Sequence, residues 1–153
     1  MKPYVTGLIA LLLLMLFVAT APLPAADELF IGGLRNVQGS AWVIRGEETL
    51  PAAEGLRIRH NDRLKTGADG ALGIVFLDDT RISLGPNSEL TVDRYVYEPA
   101  QGLFNLVARL YRGTAAYLSG AIGKLSPESV QFKTPTATIG VRGTSFLVDA
   151  GGG

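Results

Sequence analysis

No cysteine occurs in the 153 residues, so the chain has no disulfide framework, thiol nucleophile, lipid-modified cysteine or thiolate metal site. A single histidine, His60, excludes a histidine-rich metal centre. Charge of one sign is also missing. Fourteen Lys and Arg residues balance 14 Asp and Glu residues. Phosphate binding needs a basic excess to release counterions, so nucleic acid is not an expected partner. The same balance argues against a polybasic membrane-surface patch. Charged residues make up 18% of the chain, below the usual quarter, and much of that deficit lies in the first two dozen residues. The length allows one ordinary domain.

What is present begins with an address. Residues 1–26 read as a secretory signal peptide: Lys2 gives the positive start, and Val5 to Val18 is apolar except for Thr6 and Gly7. Ala19-Thr-Ala-Pro-Leu-Pro-Ala-Ala26 then supplies small residues and helix breakers, and cleavage is expected after Ala25 or Ala26. The competing reading is a retained anchor, but the run falls short of the roughly 20 residues that span a bilayer. No twin arginine is present, which favours the general export route. Loss of Lys2 leaves 13 basic and 14 acidic residues, a net charge of −1, and no membrane span is expected after cleavage. The expected location is the periplasm.

From Asp27 onward, short alternating runs are cut by turn residues. Val37–Arg45 reads as one strand with Trp42 and Ile44 on one, core-facing side. Leu56–Ile58 precedes the turn signal Asn61-Asp62, and Thr66–Gly70 breaks the chain again through Gly67 and Gly70. Ala71–Leu77 and Arg81–Leu84 form an expected hairpin about Asp78-Asp79. Gly85-Pro-Asn-Ser88 is a further turn before Leu90–Val92 and Tyr95–Tyr97. Leu103–Tyr111 fits a short helix or a buried strand. Thr114–Leu118, Val130–Phe132 and Ser145–Val148 read as strands, with a turn at Ser126–Ser129 and an extended break at Thr134-Pro135. Turn signals at this density imply an all-β fold of short strands, a sandwich, barrel or jelly-roll-like β-roll. A domain this size buries roughly two thirds of its unfolded surface and needs neither a metal nor a cofactor to fold.

Each candidate for chemistry has a plainer structural reading. His60 with Asp62 and a serine suggests a hydrolase, but no Gly-x-Ser-x-Gly elbow exists, and the two residues fit the sides of a turn. Asp62, Asp69, Asp78, Asp79 and Asp93 lack the spacing of a calcium loop and sit where hairpins demand turn residues. Trp42, Tyr95, Tyr97, Tyr111 and Tyr117 could line a sugar platform; the expectation is a core Trp42 and half-buried tyrosines. Leu118–Leu125 is too short to span a membrane and reads as a buried strand or connector. Gly140-Val-Arg-Gly-Thr144 is the most distinctive stretch. Arg142, with Gly143 and Thr144, could present a guanidinium fork to a carboxylate or phosphate on a partner. Alternatively the glycines, Gly140 among them, permit a tight bend and Arg142 satisfies a neighbouring group.

The order of these marks resembles the FecR domain family. The residues are Gly39, Val43 and Arg45; Leu56; Asp62, Leu64, Thr66 and Gly67; Asp69-Gly70; Phe76 with Asp78-Asp79-Thr80; Leu84-Gly85-Pro-Asn-Ser88; and Thr134-Pro135, Ala137, Gly140–Thr144 and Phe146. The resemblance covers residues 33–149, with 27–32 ahead of the domain and 150–153 a flexible tail. It implies an all-β extracytoplasmic module of the kind found in the sensor FecR, which relays ferric-citrate transporter occupancy to a sigma factor. The same module occurs in many exported proteins of unassigned role.

Three departures qualify the likeness. Four residues stand ahead of the apolar run, so the sensor's cytoplasmic anti-sigma segment is not expected here. Asp79 and Asn61 stand where the family has glycine. Both types tolerate left-handed backbone at a cost of about 1 kcal/mol each. The family's usual further strand pair after Phe146 is not expected, which would leave an open sheet edge. The expected function is therefore a non-enzymatic β-domain that binds an envelope protein or polymer. An adaptor beside a separate anti-sigma factor or outer-membrane transporter is the alternative, and a small hydrolase the remote one.

Overall fold

A computed structural model describes residues 29–152. The expected signal peptide lies outside the described residues. Among the described residues, thirteen strands form two sheets. In chain order the strands are β1 (Phe30–Gln38), β2 (Ala41–Arg45), β3 (Glu48–Pro51), β4 (Arg57–Arg59), β5 (Arg63–Thr66), β6 (Ala71–Phe76), β7 (Arg81–Leu84) and β8 (Glu89–Glu98). They continue with β9 (Leu103–Arg112), β10 (Thr114–Leu118), β11 (Val130–Lys133), β12 (Thr138–Gly140) and β13 (Ser145–Asp149). One short helix, α1 (Ala121–Leu125), and a 3-10 turn at Pro127–Ser129 connect β10 to β11. The fold is all-β.

The six-stranded sheet has the order β13-β10-β7-β6-β1-β4, and the seven-stranded sheet β12-β11-β9-β8-β5-β2-β3. Ile31, Leu34, Ile74, Ile82 and Tyr117 from the first sheet meet Val43, Leu64, Leu90, Leu106 and Phe132 from the second in one buried cluster. Tyr117 stacks on Phe146 and meets Phe132 edge-on, with ring centroids 4.8 and 5.6 Å away. β11 runs parallel to β9, with Val130 opposite Leu106, while the remaining pairs are antiparallel.

The chain changes sheet repeatedly, and glycines mark where two such corners touch. Gly39, with φ +59°, passes over the Asp69 carbonyl, and a side chain on Gly70 would strike the Ser40 carbonyl. Gly67 N–H donates to Ser40 O at 2.8 Å and locks the two corners together. At a second contact, Ser88 Oγ donates to Thr114 O at 3.2 Å and accepts from Thr114 N–H at 3.0 Å. There Gly85 and Gly113 leave room that a Cβ would fill, against Thr114 Oγ1 and Ser88 respectively. Gly85 has no left-handed backbone; its place is set by this close approach.

Several expectations are corrected. The run Val37–Arg45 is not one strand: it breaks at Gly39-Ser40, where the chain leaves one sheet for the other. Trp42 is not core. Alternation puts Ala41 and Val43 inside and leaves Trp42 38% exposed, paired across to Pro51 and Lys65. Tyr95 and Tyr117 are not half-buried but buried. Thr134–Ala137 is a tight turn closed by Thr134 N–H to Ala137 O at 2.8 Å, not an extended break. Of the readings left open, Leu103–Tyr111 is strand and Leu118–Leu125 is a connector ending in α1. The β6–β7 hairpin forms as expected, with Ile74 opposite Ile82. β1 already begins at Phe30, within the stretch read as preceding the domain.

The corner contacts predict unequal glycine substitutions. Gly102 and Gly113 both have positive φ, but a Cβ on Gly102 meets nothing within 4 Å, whereas one on Gly113 meets Ser88 Cα at 2.6 Å. Gly102→Ala should cost about 1 kcal/mol from backbone strain, and Gly113→Ala about 3 kcal/mol because overpacking adds to it. Urea unfolding of the two variants checks the difference; equal midpoints would refute close packing at this corner.

Candidate functional site

The loop between β12 and β13 carries the residues singled out from the sequence. Gly140 ends β12 in open space, without positive φ. Val141 is buried and its N–H donates to Val130 O at 3.3 Å, while Thr144 O accepts from Ser119 N–H at 2.8 Å. Between these pins, Gly143 takes φ +104° and turns the chain into β13. Arg142, Gly143 and Thr144 are therefore displayed on a fixed backbone, all exposed. No hydrogen bond or ion pair of Arg142 is found among the described residues.

Arg142 stands beside Pro127, Glu128, Gly140 and Val141, around a shallow groove of 330 Å³. The Ser126 hydroxyl, which donates to Glu128 Oε1 at 2.6 Å, holds the Glu128 carboxyl below its ordinary range. The groove thus has a guanidinium and a carboxylate on its rim, with Pro127 and Val141 offering apolar surface between them.

Among the described residues β13 continues from this loop as an outermost strand, bonded to β10 with Tyr117 opposite Phe146 and Ala116 opposite Leu147. The other outer strands carry features that discourage further pairing. β4 has three residues, two of them arginines; β3 contains Pro51; β12 has three residues and follows Pro135. β13 has five residues, no proline, lysine or bulge, and Leu147 is 71% exposed.

The remaining turn residues hold the scaffold. Asn61 and Asp79 both take φ +63°. Asp62 is buried and receives a two-pronged contact from Arg45: Nε to Oδ1 at 2.9 Å and Nη2 to Oδ2 at 2.7 Å. Arg59 N–H also donates to Oδ2 at 2.9 Å. Asp62 therefore faces Arg45 rather than orienting His60. His60 instead lines a 240 Å³ cleft with Phe30, Leu77, Tyr97 and Glu98, in which no serine takes part. The structure does not assemble a Ser-His-Asp arrangement at this turn.

Asp78 is more than a turn residue. Its buried carboxylate accepts from Thr80 Oγ1 at 2.6 Å, Tyr95 OH at 3.0 Å and Ile122 N–H at 3.0 Å. It thereby joins the β6–β7 turn to β8 and α1. Asp69 lies apart, where the Ser40 hydroxyl and N–H hold its carboxyl below its ordinary value. Asp93 takes hydrogen bonds from Thr91 and Arg109. Among the described residues, no group of three or more histidines or carboxylates is placed to hold a metal ion. The aromatic residues also fail to form one platform. Tyr95 and Tyr117 are internal, Tyr97 sits against Phe104, Tyr111 lies under Arg63, and Trp42 is on the outer face of β2.

The open sheet edge expected after Phe146 lies, among the described residues, on the outer side of β13; what the sequence reading did not pick out is the exposed face of that strand. The available signal was Leu147, an apolar residue at the outward positions shared with Ser145 and Asp149.

Two tests follow. Asp78→Ala strands the donors of Thr80, Tyr95 and Ile122 in the interior; at about 1–3 kcal/mol for an unsatisfied buried group, it should cost several kcal/mol and lower the melting temperature by more than about 8 °C. An unchanged melting temperature would show the carboxylate to be dispensable. The second test is alkaline. Burial, with the Asp78 carboxylate second, pushes the Tyr95 phenol far above its ordinary value of 10, and burial raises Tyr117 as well. A raised folded-state value stabilises the protonated form, so this contribution is intact below pH 10 and declines as pH rises past it. Tyr95→Phe should be less stable at neutral pH but show a shallower alkaline decline. Parallel pH profiles for the two proteins would contradict this.

Among the described residues no helix is long and apolar enough to cross a membrane. Comparison with known proteins gives a family match: the model of the family described as "FecR protein" matches residues 62–153. No curated protein and no solved structure matches the chain. The family match begins inside the fold, after β4, although β1 lies between β4 and β6 in one sheet. Covering more than half of the chain, and holding both the corner glycines Gly67, Gly70, Gly85 and Gly113 and the Gly140–Thr144 loop, this match makes the protein a member of the FecR family.

Proposed function

We propose that this protein is an exported, non-enzymatic domain of the bacterial periplasm that binds a protein partner. Recognition runs along the surface from the Arg142 loop to the open edge of β13. The observation that carries this reading is the unprotected edge itself, with Leu147 on it and Arg142 displayed at its start. A free strand edge offers a row of backbone N–H and C=O groups, which a polypeptide can match strand to strand. An envelope polysaccharide has no such row. The protein reading is therefore preferred to the polymer reading. The Arg142 and Glu128 pair on the groove rim adds a charge of each sign for selectivity.

Membership of the FecR family favours a second, narrower reading: an adaptor in envelope signalling, working beside a separate anti-sigma factor or an outer-membrane transporter. The apolar leader Val5–Val18 supports export under either reading.

Cross-linking and capture from the native envelope test the proposal. Arg142→Ala should keep its melting temperature, because the side chain is exposed, and should lose the captured partner at least partly. A lowered melting temperature with capture unchanged would make Arg142 a structural residue and remove it from the surface proposed here. His60→Ala should leave capture unaltered. Recovery of the protein in the cytosol with its leader intact would end the export reading.

A further inference from the structure

We infer that the partner at the β13 edge is a second copy of this chain, with two β13 strands pairing antiparallel about Leu147. This rests on β13 being a recognition edge and goes on to say what occupies it.

The backbone alternation of β13 fixes the geometry. Thr144 O accepts from Ser119 N–H and Ala150 N–H donates to Gly113 O, so even-numbered positions bond inward to β10. The N–H and C=O groups of Ser145, Leu147 and Asp149 then point to the open side. A two-fold axis at Leu147 brings Leu147 opposite Leu147 and Ser145 opposite Asp149, so all three outward-pointing positions find partners at once. Shifting the register by one residue would turn the bonding groups away from one another.

Side chains on both faces suit this register. On the solvent face the two exposed leucines cover each other, while each Ser145 hydroxyl meets the partner's Asp149 carboxylate. Arg142, three residues ahead of Ser145, is brought towards that same carboxylate, giving opposite charges at each end of the paired strands. On the core face, half-buried Phe146 comes opposite Val148, an aromatic and a β-branched residue that pair well across strands. The result is one continuous sheet across two copies. Five residues of strand bury less than the roughly 800 Å² per partner of a standard interface, so the dimer is reversible.

Sedimentation velocity of the protein purified from the envelope, over a wide concentration range, should show a monomer passing to a dimer. Leu147→Lys sets two ammonium groups against each other at the axis. It should weaken dimerisation at least about tenfold. The melting temperature of the monomer should hold, because Leu147 is 71% exposed. A cysteine variant tests the register separately, since the chain has no other cysteine. Facing Cα atoms of a bonded antiparallel pair are about 5.5 Å apart, within disulfide range. Leu147→Cys should therefore form a disulfide dimer under mild oxidation much faster than Leu125→Cys, an equally bare surface position at 65% exposure.

A single-chain mass at every concentration, with the two cysteine variants reacting at equal rates, would overturn the inference. If that result came with loss of envelope capture in Leu147→Lys, β13 would be an edge for a different protein, and the wider reading would stand without this one. If capture also persisted, both would fail.

Discussion

Backbone pressed against backbone is the constraint on which this fold depends. The chain shuttles between two sheets, and at neighbouring corners one turn lies directly on the next, with backbone or the short side chains of Ser88 and Thr114 filling the contact. Gly39 and Gly70 meet Asp69 and Ser40; Gly85 and Gly113 meet Thr114 and Ser88; Gly120 sits on the Asp78–Thr80 turn. A Cβ added at any of these five would fall within 2.4 Å of a neighbouring atom. The corners also leave buried polar groups that the sheets cannot serve. Ser88, Thr66 and Asp78 answer that need with side-chain hydrogen bonds between elements far apart in sequence.

That constraint explains the part of the fold that was legible in the sequence. The glycine, asparagine and aspartate marks are contact points of the corners as well as turn formers, so their order encodes the topology. Ala71–Leu77 and Arg81–Leu84 could be read as a hairpin about Asp78-Asp79 because alternation and turn chemistry agree there. Trp42 could not be placed correctly, because alternation separates two faces without naming the inner one, and bulk wrongly favoured Trp42 over Ala41. Tyr95 defied its polar tip because Asp78, a residue 17 positions away, supplies the partner its hydroxyl needs inside. No local pattern reports a contact of that range.

The candidate surface was half legible. The glycine-flanked arginine is visible in any reading of the sequence, and Arg142 stands in the open, with Gly143 taking the positive φ that turns the chain beside it. The family resemblance already points to an open edge after Phe146, but which residues of β13 line it depends on sheet order. Ser145, Leu147 and Asp149 acquire meaning only once β10 is known to occupy the other side. The proposed binding surface and the scaffold are therefore separable in kind: one is exposed side chain and bare edge, the other is corner packing and the buried Asp62 and Asp78 carboxylates.

The parallel pairing of β11 with β9 has a kinetic consequence. Neighbouring strands that run the same way cannot close as a hairpin, and here the path between them passes through β10 in the opposite layer and through α1. Their contact must wait until that intervening excursion has docked, so loop-closure entropy is spent before the contact is gained. The segment from β11 onward is thus expected to commit late in folding.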